Sequence, residues 1–599
     1  MDNYFVSSCK RVKDWICRQF GQKEKKTVHH KKFADGGEVI VWETGRAGEE
    51  AASYENLFLR KEIAGFRTNI RREQSCSIKS LTRDYLYKQL LSSGEYTFDH
   101  MLVIKDPYGE APLTALALFI LEEPACVRVT TKGNLKETDF VTELPKKKEH
   151  RVPILGMYAE KANDIVIEIL DDEGNCVKSH TFTIRTKRLP KSLRNVITVK
   201  KWTDKPAYSN IMINGGVKIH TCVFDIEGEI RYYLSRKPRG YGIFPLSDGH
   251  FFYMEKYISV PSYSNPQTVE SYDMDYFGRV FRTYLTEKGV HHTAEEKAGG
   301  NILTGSNSML EHTEDCVIEI DRQTGEIVWQ LNMAEIFDET YQDMMDWCHV
   351  NSAAYYEKDR TILISLRNVH AVICVDYDTK KLRWILSDPK FWEGTKMTPY
   401  LLQPEGDVKW CYQQHAAFEI ALPGESNPQK KRIIVYDNHW AKRRKAKSFD
   451  KDPLSYVSFY DIDEEKKTVS LHKRFAGPKT RIRANGIYVP DKKRVYNMAG
   501  SYAEPVDGDG GGIFEYDYET GEVLSEFGVK PGFFRAYPFE PNVQELAEPM
   551  QMTGDYQVGQ IKQPQEISSS KYCKLKSEKK HHIKSCLLYT SPSPRDGAT

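Results

Sequence analysis

No stretch of this chain is apolar for long. The longest such run, LTALALFIL (113–121), is too short to cross a bilayer as a helix, and the opening MDNYFVSSCKRVKDWICRQFGQKEKK holds no continuous apolar segment of leader length. We therefore expect a chain without membrane contact, made and kept in the cytoplasm. An excess of one charge is also missing, since 85 Lys plus Arg stand against 84 Asp plus Glu. Proteins that coat nucleic acid rest on a broad positive field, which this balance excludes; no nucleic-acid partner is expected, and charge-driven chemistry must be local. Cysteine pairs are absent as well. The 12 Cys are scattered singly, with no CxxC and no Cys/His spacing of the zinc kind, so buried free thiols are expected and no metal centre.

What the chain does have is β-type material: 12% aromatic residues, 35 of them Tyr, and many Val, Ile and Thr in short alternating runs. Residues 1–95 read as a polar, partly helical extension, with helical spacing in SLTRDYLYKQLLSSG (80–94), where Leu81, Tyr85, Leu86 and Leu90 fall near one face. Residues 96–190 carry short β runs, one pair separated by the turn DDEGN, and suit a β-sandwich. RLPKSL (188–193) reads as a linker. Residues 551–585 form a tail, and the closing CLLYTSPSPRDGAT (586–599) has the look of translated adaptor sequence.

Between 200 and 550 the chain repeats a strand, an Asp-led turn and a second strand. The turn aspartates are Asp225, Asp275, Asp321, Asp376, Asp461 and Asp517, separated by 50, 46, 55, 85 and 56 residues. That spacing is the size of a four-stranded propeller blade with one large insertion, so the expected fold is all-β, a six-bladed β-propeller behind an N-terminal β-sandwich.

Polar residues interrupt the strands that should line the channel. In DWCHVNSAAYYEKDRTILISLRN (346–368), His349 and Asn351 are two apart and share a face, and a turn centred on Lys358 sets His349 opposite Arg367. The next unit opens with CYQQHAAFEIAL, placing His415 at the same step. The previous one opens with GVHHTAEEKAGG, offering His291 or His292, and the last offers Arg483 and Asn485. One such residue is ordinary. Several aimed at one channel carry a desolvation cost that a bound anion would offset, so the set reads as an anion site in which a neutral His is nucleophile or base.

DWCHVNS, SLRN, QQHAA and the sandwich segments DPYGEAPLTALALF and VPILGMYAEKANDIVIEILDDEGN together resemble the arylsulfate sulfotransferases, enzymes that move a sulfuryl group between phenols without a nucleotide donor. The resemblance spans roughly residues 95–550. It implies a transiently sulfated His415, with His349, Asn351 and Arg367 on the sulfuryl oxygens and one of His291 and His292 as a further active-site histidine. It also implies an aryl sulfate donor, a phenol acceptor, no cofactor and a homodimer. Two features depart from it: Cys411 is the only cysteine in 386–412, where secreted relatives have a disulfide loop, and YDNHW puts His439 and Trp440 where a small residue is expected, ahead of the basic insertion AKRRKAKSF. An aryl-sulfate hydrolase-like enzyme and a non-catalytic anion-binding propeller are the alternatives.

Overall fold

In a computed structural model the chain is described over residues 28–32, 38–43, 76–550 and 554–557, apart from short gaps at 204, 217–218, 237–240, 259–266, 309–311, 343–344, 423, 441–451 and 541–542. The basic insertion, most of the tail and the adaptor-like end lie outside these residues.

The N-terminal unit is one hydrogen-bonded sheet of seven strands wrapped around a core. Its two long strands, Ala115–Thr131 and Phe140–Ile154, pair along their length, and the register breaks between Ile120 and Ala125, where Pro124 cannot donate. Before the break the first strand also pairs with His100–Lys105; after it, with Ala162–Leu170. Residues from both halves, among them Val103, Phe119, Val129, Ile167 and Phe182, meet in one core that continues into the propeller through Ile213 and Phe224. Strands Val28–Lys32 and Glu38–Glu43, from the stretch read as an extension, add to this sheet's edge.

The helix expected near 80–94 runs Cys76–Ser92. Its buried face is Ser77, Ser80, Asp84, Tyr87 and Leu91, while Tyr85 is exposed and Leu81, Leu86 and Leu90 are only half-buried. The reason is polar. Asp84 accepts from Arg151 at 2.5 Å, Tyr108 at 2.7 Å and the Met550 N–H at 2.9 Å, and Ser80 accepts the Val280 N–H. Buried carboxylates are tolerated when paired in this way.

Beyond the linker the strands form six groups built on four strands each, here blades 1 to 6, with Gly554–Gln557, Gln403–Pro404 and Ile197–Lys201 added at the edges of blades 2, 5 and 6. Blade 1 joins Arg535–Pro538 to Asn210–Asn214, Cys222–Asp225 and Ile230–Tyr233. Blades 2 and 3 share the long strand Val280–Glu296, whose first part is the outer strand of one and whose last part is the inner strand of the next. Blade 4 begins with Val350–Tyr356, blade 5 with His415–Ile420 and blade 6 with Asn485–Val489. The ring closes on itself: Asn214 of blade 1 donates to the Tyr241 and Ile243 carbonyls of blade 2, and Asn485 of blade 6 donates to the Ala536 carbonyl of blade 1. A ring of this kind leaves only short, protected sheet edges.

The turn aspartates recur between the third and fourth strands. Asp225, Asp275, Asp321, Asp376 and Asp517 accept backbone N–H groups two to four residues on, the side chain standing in for a turn. Blade 5 differs from expectation: there Asp463 holds the turn, and Asp461 instead forms an ion pair with Arg432.

Candidate active site

Backbone irregularity aims the side chains. His292 and His349 both adopt left-handed φ of 58°, Ala416 has 57° and Arg483 has 65°. Ladder registers shift at the same places, between His291 and Ala294, between Val350 and Ser352, and between His415 and Ala417. Such conformations are sterically expensive outside glycine and cluster where function requires them. In blade 4 the bulge also alters register. Tyr356 pairs with Thr361, one residue off the expected alignment, and the extra residue at Asn351 restores the offset, so the Arg367 N–H reaches the His349 carbonyl at 3.1 Å.

His415 is buried, and its Nδ1 lies 2.6 Å from Asn438 Oδ1. The orientation of that amide is fixed, because Asn438 Nδ2 donates to Thr480 at 2.8 Å and to the Arg483 carbonyl at 3.4 Å, and a carbonyl can only accept. Nδ1 therefore carries the proton and Nε2 keeps its lone pair, which accepts the Arg483 N–H at 3.3 Å. Burial holds the His415 pKa well below 6.5, and the Arg367 guanidinium adds to this against the Asn438 hydrogen bond. His415 is neutral.

His349 stands in the opposite condition. Its Nδ1 lies 2.5 Å from Glu314 and 2.9 Å from Asp346. Burial would lower its pKa, but these two carboxylates push it up to about 9. His349 is an imidazolium at neutral pH. Glu314, Asp346 and His349, and likewise Glu314, His291 and His292, bring their ligating atoms within 4.8 Å of one another, a spacing that could take a cation. A proton on His349 already accounts for the first group.

Of the two histidines in HHT, His292 faces this cluster. Its ring centre is 4.6 Å from that of His349 and 4.4 Å from that of Tyr241, whose hydroxyl donates to Glu314 at 3.2 Å. His291 is turned away: its Nε2 lies 2.9 Å from the Ser306 carbonyl and its Nδ1 3.2 Å from His292 Nδ1. Because that carbonyl requires a donor, His291 Nδ1 is the acceptor and His292 Nδ1 carries the proton, leaving His292 Nε2 as a base. Burial lowers both pKa values, that of His292 well below 6.5 with help from His349. Gly305 makes room, since a Cβ there would fall 2.6 Å from the His291 ring.

Arg367 is buried and donates to Asn368 Oδ1 at 3.1 Å and to the Arg481 carbonyl at 3.5 Å. Asn351 donates to the Gln414 carbonyl at 2.8 Å, while its Oδ1 has no hydrogen-bond partner among the described residues. Arg483 contributes through its backbone, at both His415 and Asn438. Asn485 is occupied at both ends of its amide by the backbone of Ala536 and so bridges blades 6 and 1.

Asn438, Glu314, Asp346, Tyr241 and Arg535 belong to the site without having been singled out in the sequence. Arg535 is buried, donates to the Asn351 carbonyl at 2.9 Å and depresses both His415 and His292. Asp346 lies inside DWCHVNS and Asn438 inside YDNHW, where each could have been noticed as a partner for an imidazole. Glu314 and Tyr241 sit in loops with no pattern around them.

A β-propeller whose channel sets a neutral histidine beside a cationic one and two arginines is built to handle an anion. The chain belongs to the arylsulfotransferase family: the Arylsulfotransferase (ASST) profile matches residues 195–535 and the Arylsulfotransferase Ig-like domain matches residues 102–187, which makes the protein a transferase. It is 23% identical over 566 residues to the arylsulfate sulfotransferase AssT of Escherichia coli O6:H1 and 22% over 563 residues to that of Lelliottia amnigena, covering 71% of this chain and 90% of each relative. Among solved structures, an auxiliary nutrient binding protein of Bacteroides thetaiotaomicron aligns at a TM-score of 0.29 and 12% identity, over 70% of this chain and 94% of that one. The cysteines described are free thiols; five of them, Cys411 included, are buried as expected, whereas Cys176 is exposed and Cys76 and Cys126 are half-buried, and no described helix is long and apolar enough to cross a membrane.

Proposed function

We propose that the protein transfers a sulfuryl group from an aryl sulfate to a phenol through a sulfated His415. The observation that carries this is the state of that residue: a buried, neutral imidazole with Nδ1–H held by Asn438 and a lone pair left on Nε2 beside a cationic channel. Nε2 attacks sulfur, the N–S bond forms, and the bond from sulfur to the aryl oxygen breaks with its electron pair leaving as phenolate. Arg367 and Arg535 offset the charge on the transferring oxygens, as cationic clamps do in phosphoryl transfer. His349, held at about 9, then protonates the phenolate. A phenol titrates near ~10, so this proton moves downhill by about one unit, roughly 1.4 kcal/mol. Neutral His349, with His292 as a second base beside it, next takes the proton of the incoming phenol as its oxygen attacks sulfur; the S–O bond forms, the N–S bond breaks, and its electron pair returns to His415 Nε2. Donor product leaves before acceptor enters, which is ping-pong kinetics.

In this reading His291 positions His292, Asn351 offers an acceptor to the phenol hydroxyl, and Asn485 serves the ring rather than the substrate. A homodimer belongs to the same proposal and is checked by light scattering. The chemistry is tested with 4-nitrophenyl sulfate with and without phenol, and by intact mass after donor alone. Phenol-stimulated nitrophenol release, and a sulfate-sized adduct lost in His415→Ala, are the expected results. Release into water without any adduct in a folded sample would favour the hydrolase reading. Binding of the ester without release or adduct would favour a non-catalytic propeller.

A further inference from the structure

Two apolar side chains lie on the segments that carry Asn438 and Arg483 to His415. Ile482 is 38% exposed and Trp440 half-buried. Ile482 lies between Arg481, whose carbonyl accepts from Arg367, and Arg483, whose N–H points at His415 Nε2. Its neighbours Arg483 and Ala484 have φ of 65° and 138°, so the segment is held in a conformation that non-glycine residues avoid. Trp440 follows Asn438 by two residues. Its N–H donates to the Tyr412 carbonyl at 3.2 Å, and the Arg481 guanidinium lies 5.9 Å from its ring centre. Behind it the rings of Tyr412 and His439 pack 5.1 Å apart, and Asp437 pins this corner by accepting the N–H groups of both at 2.9 and 2.8 Å.

We propose that Trp440, Ile482 and Arg481 form a lip that holds the aryl ring, of the donor first and the acceptor afterwards. In an aryl sulfate only the ester oxygen separates ring from sulfur, so with sulfur at His415 Nε2 the ring must lie a few ångströms away, near the segment whose Arg483 N–H meets that nitrogen. An indole face, a branched aliphatic side chain and a guanidinium together suit a flat aromatic body, and the cation adds preference for rings bearing a negative substituent. Arg481 also pairs with Glu504 at 3.1 Å, but both side chains are exposed, and such a pair is weak enough to yield to a ligand. A lip of this breadth favours fused two-ring aryl sulfates over single rings. The identity of the occupant rests on the sulfuryl-transfer reading.

The test uses the full chain with 4-nitrophenyl sulfate and 2-naphthyl sulfate. Trp440→Ala is expected to raise KM for the naphthyl ester about tenfold, equivalent to ~1.4 kcal/mol, and for the phenyl ester by less. Ile482→Ala is expected to act in the same direction, and it decides where Trp440→Ala does not fold. Val328→Ala, at a 51% exposed position on the outer strand of blade 3, is the control and changes neither ester. Unchanged selectivity between the two esters in both lip variants overturns the proposal. Equilibrium binding of 2-naphthyl sulfate to His415→Ala, with and without Trp440→Ala, separates the two readings. If the wild type turns over no aryl sulfate yet Trp440→Ala weakens binding, the lip stands and the transfer chemistry falls; if binding is equal, the lip falls whatever the chemistry.

Discussion

Blades 4 and 5 each set a histidine at the mouth of the inner strand, on a bulged backbone, and hold the two in different charge states. His349 has Glu314 and Asp346 at its Nδ1 and is held protonated; His415 has an asparagine amide at its Nδ1 and an arginine close by, and is held neutral. Burial is common to both and disfavours charge in both. The difference therefore comes from what each Nδ1 meets: a pair of carboxylates keeps one imidazole protonated, while a neutral amide acceptor with an arginine close by leaves the other neutral. Pairs of titratable groups pushed apart in this way are how one site runs acid and base chemistry at one pH.

Removing one side of the contrast has the largest expected effect. His415→Ala should lower phenol-dependent transfer by at least ~10³-fold and abolish the adduct, measured by nitrophenol release and intact mass. Making blade 5 like blade 4 comes next: Asn438→Asp places a carboxylate on His415 Nδ1, raises its pKa and should slow donor turnover at pH 7 by ~10- to 100-fold, with recovery as pH rises. Making blade 4 like blade 5 is milder. In the wild type, kcat/KM should persist below pH 6.5, where an ordinary histidine would be protonated, and fall as pH rises through about 9. Glu314→Gln should move that upper limb down by ~1 unit, read from the pH profile of the donor half-reaction.

The smallest effect is on stability. His349 has a folded-state pKa raised from 6.5 to about 9, so the stability it contributes is fully present below pH 6.5 and is lost as pH rises through about 9. The Tm advantage of wild type over His349→Gln should shrink across that window by roughly 2 °C or more in calorimetry. A constant difference would mean that the carboxylates do not charge His349.

Much of this contrast was legible in the sequence and some was not. Strand alternation and the Asp-led turns carry the propeller, because period-two patterning and turn chemistry are local. The histidines of the two blades stand out because polar residues are out of place in apolar strands. Only part of what sets their charge is local: Asp346 stands three residues before His349, but Glu314 lies 35 residues before it, and Asn438 lies 23 after His415. The exchange of register at Asn351 could not be read either, since a bulge leaves no mark on alternation until the partner strand is known. The helix face was misjudged for a related reason: Ser80 and Asp84 look like solvent-facing residues until Arg151, Tyr108 and Val280 are seen against them.

The ring is completed by residues 535–538, which arrive after every other blade has been made. That late strand brings Arg535 into the channel, against the Asn351 carbonyl and near both neutral histidines. Under the proposed mechanism, the strand that closes the ring would therefore also complete the anion site, so that folding of the last blade and assembly of the reacting centre would be a single event.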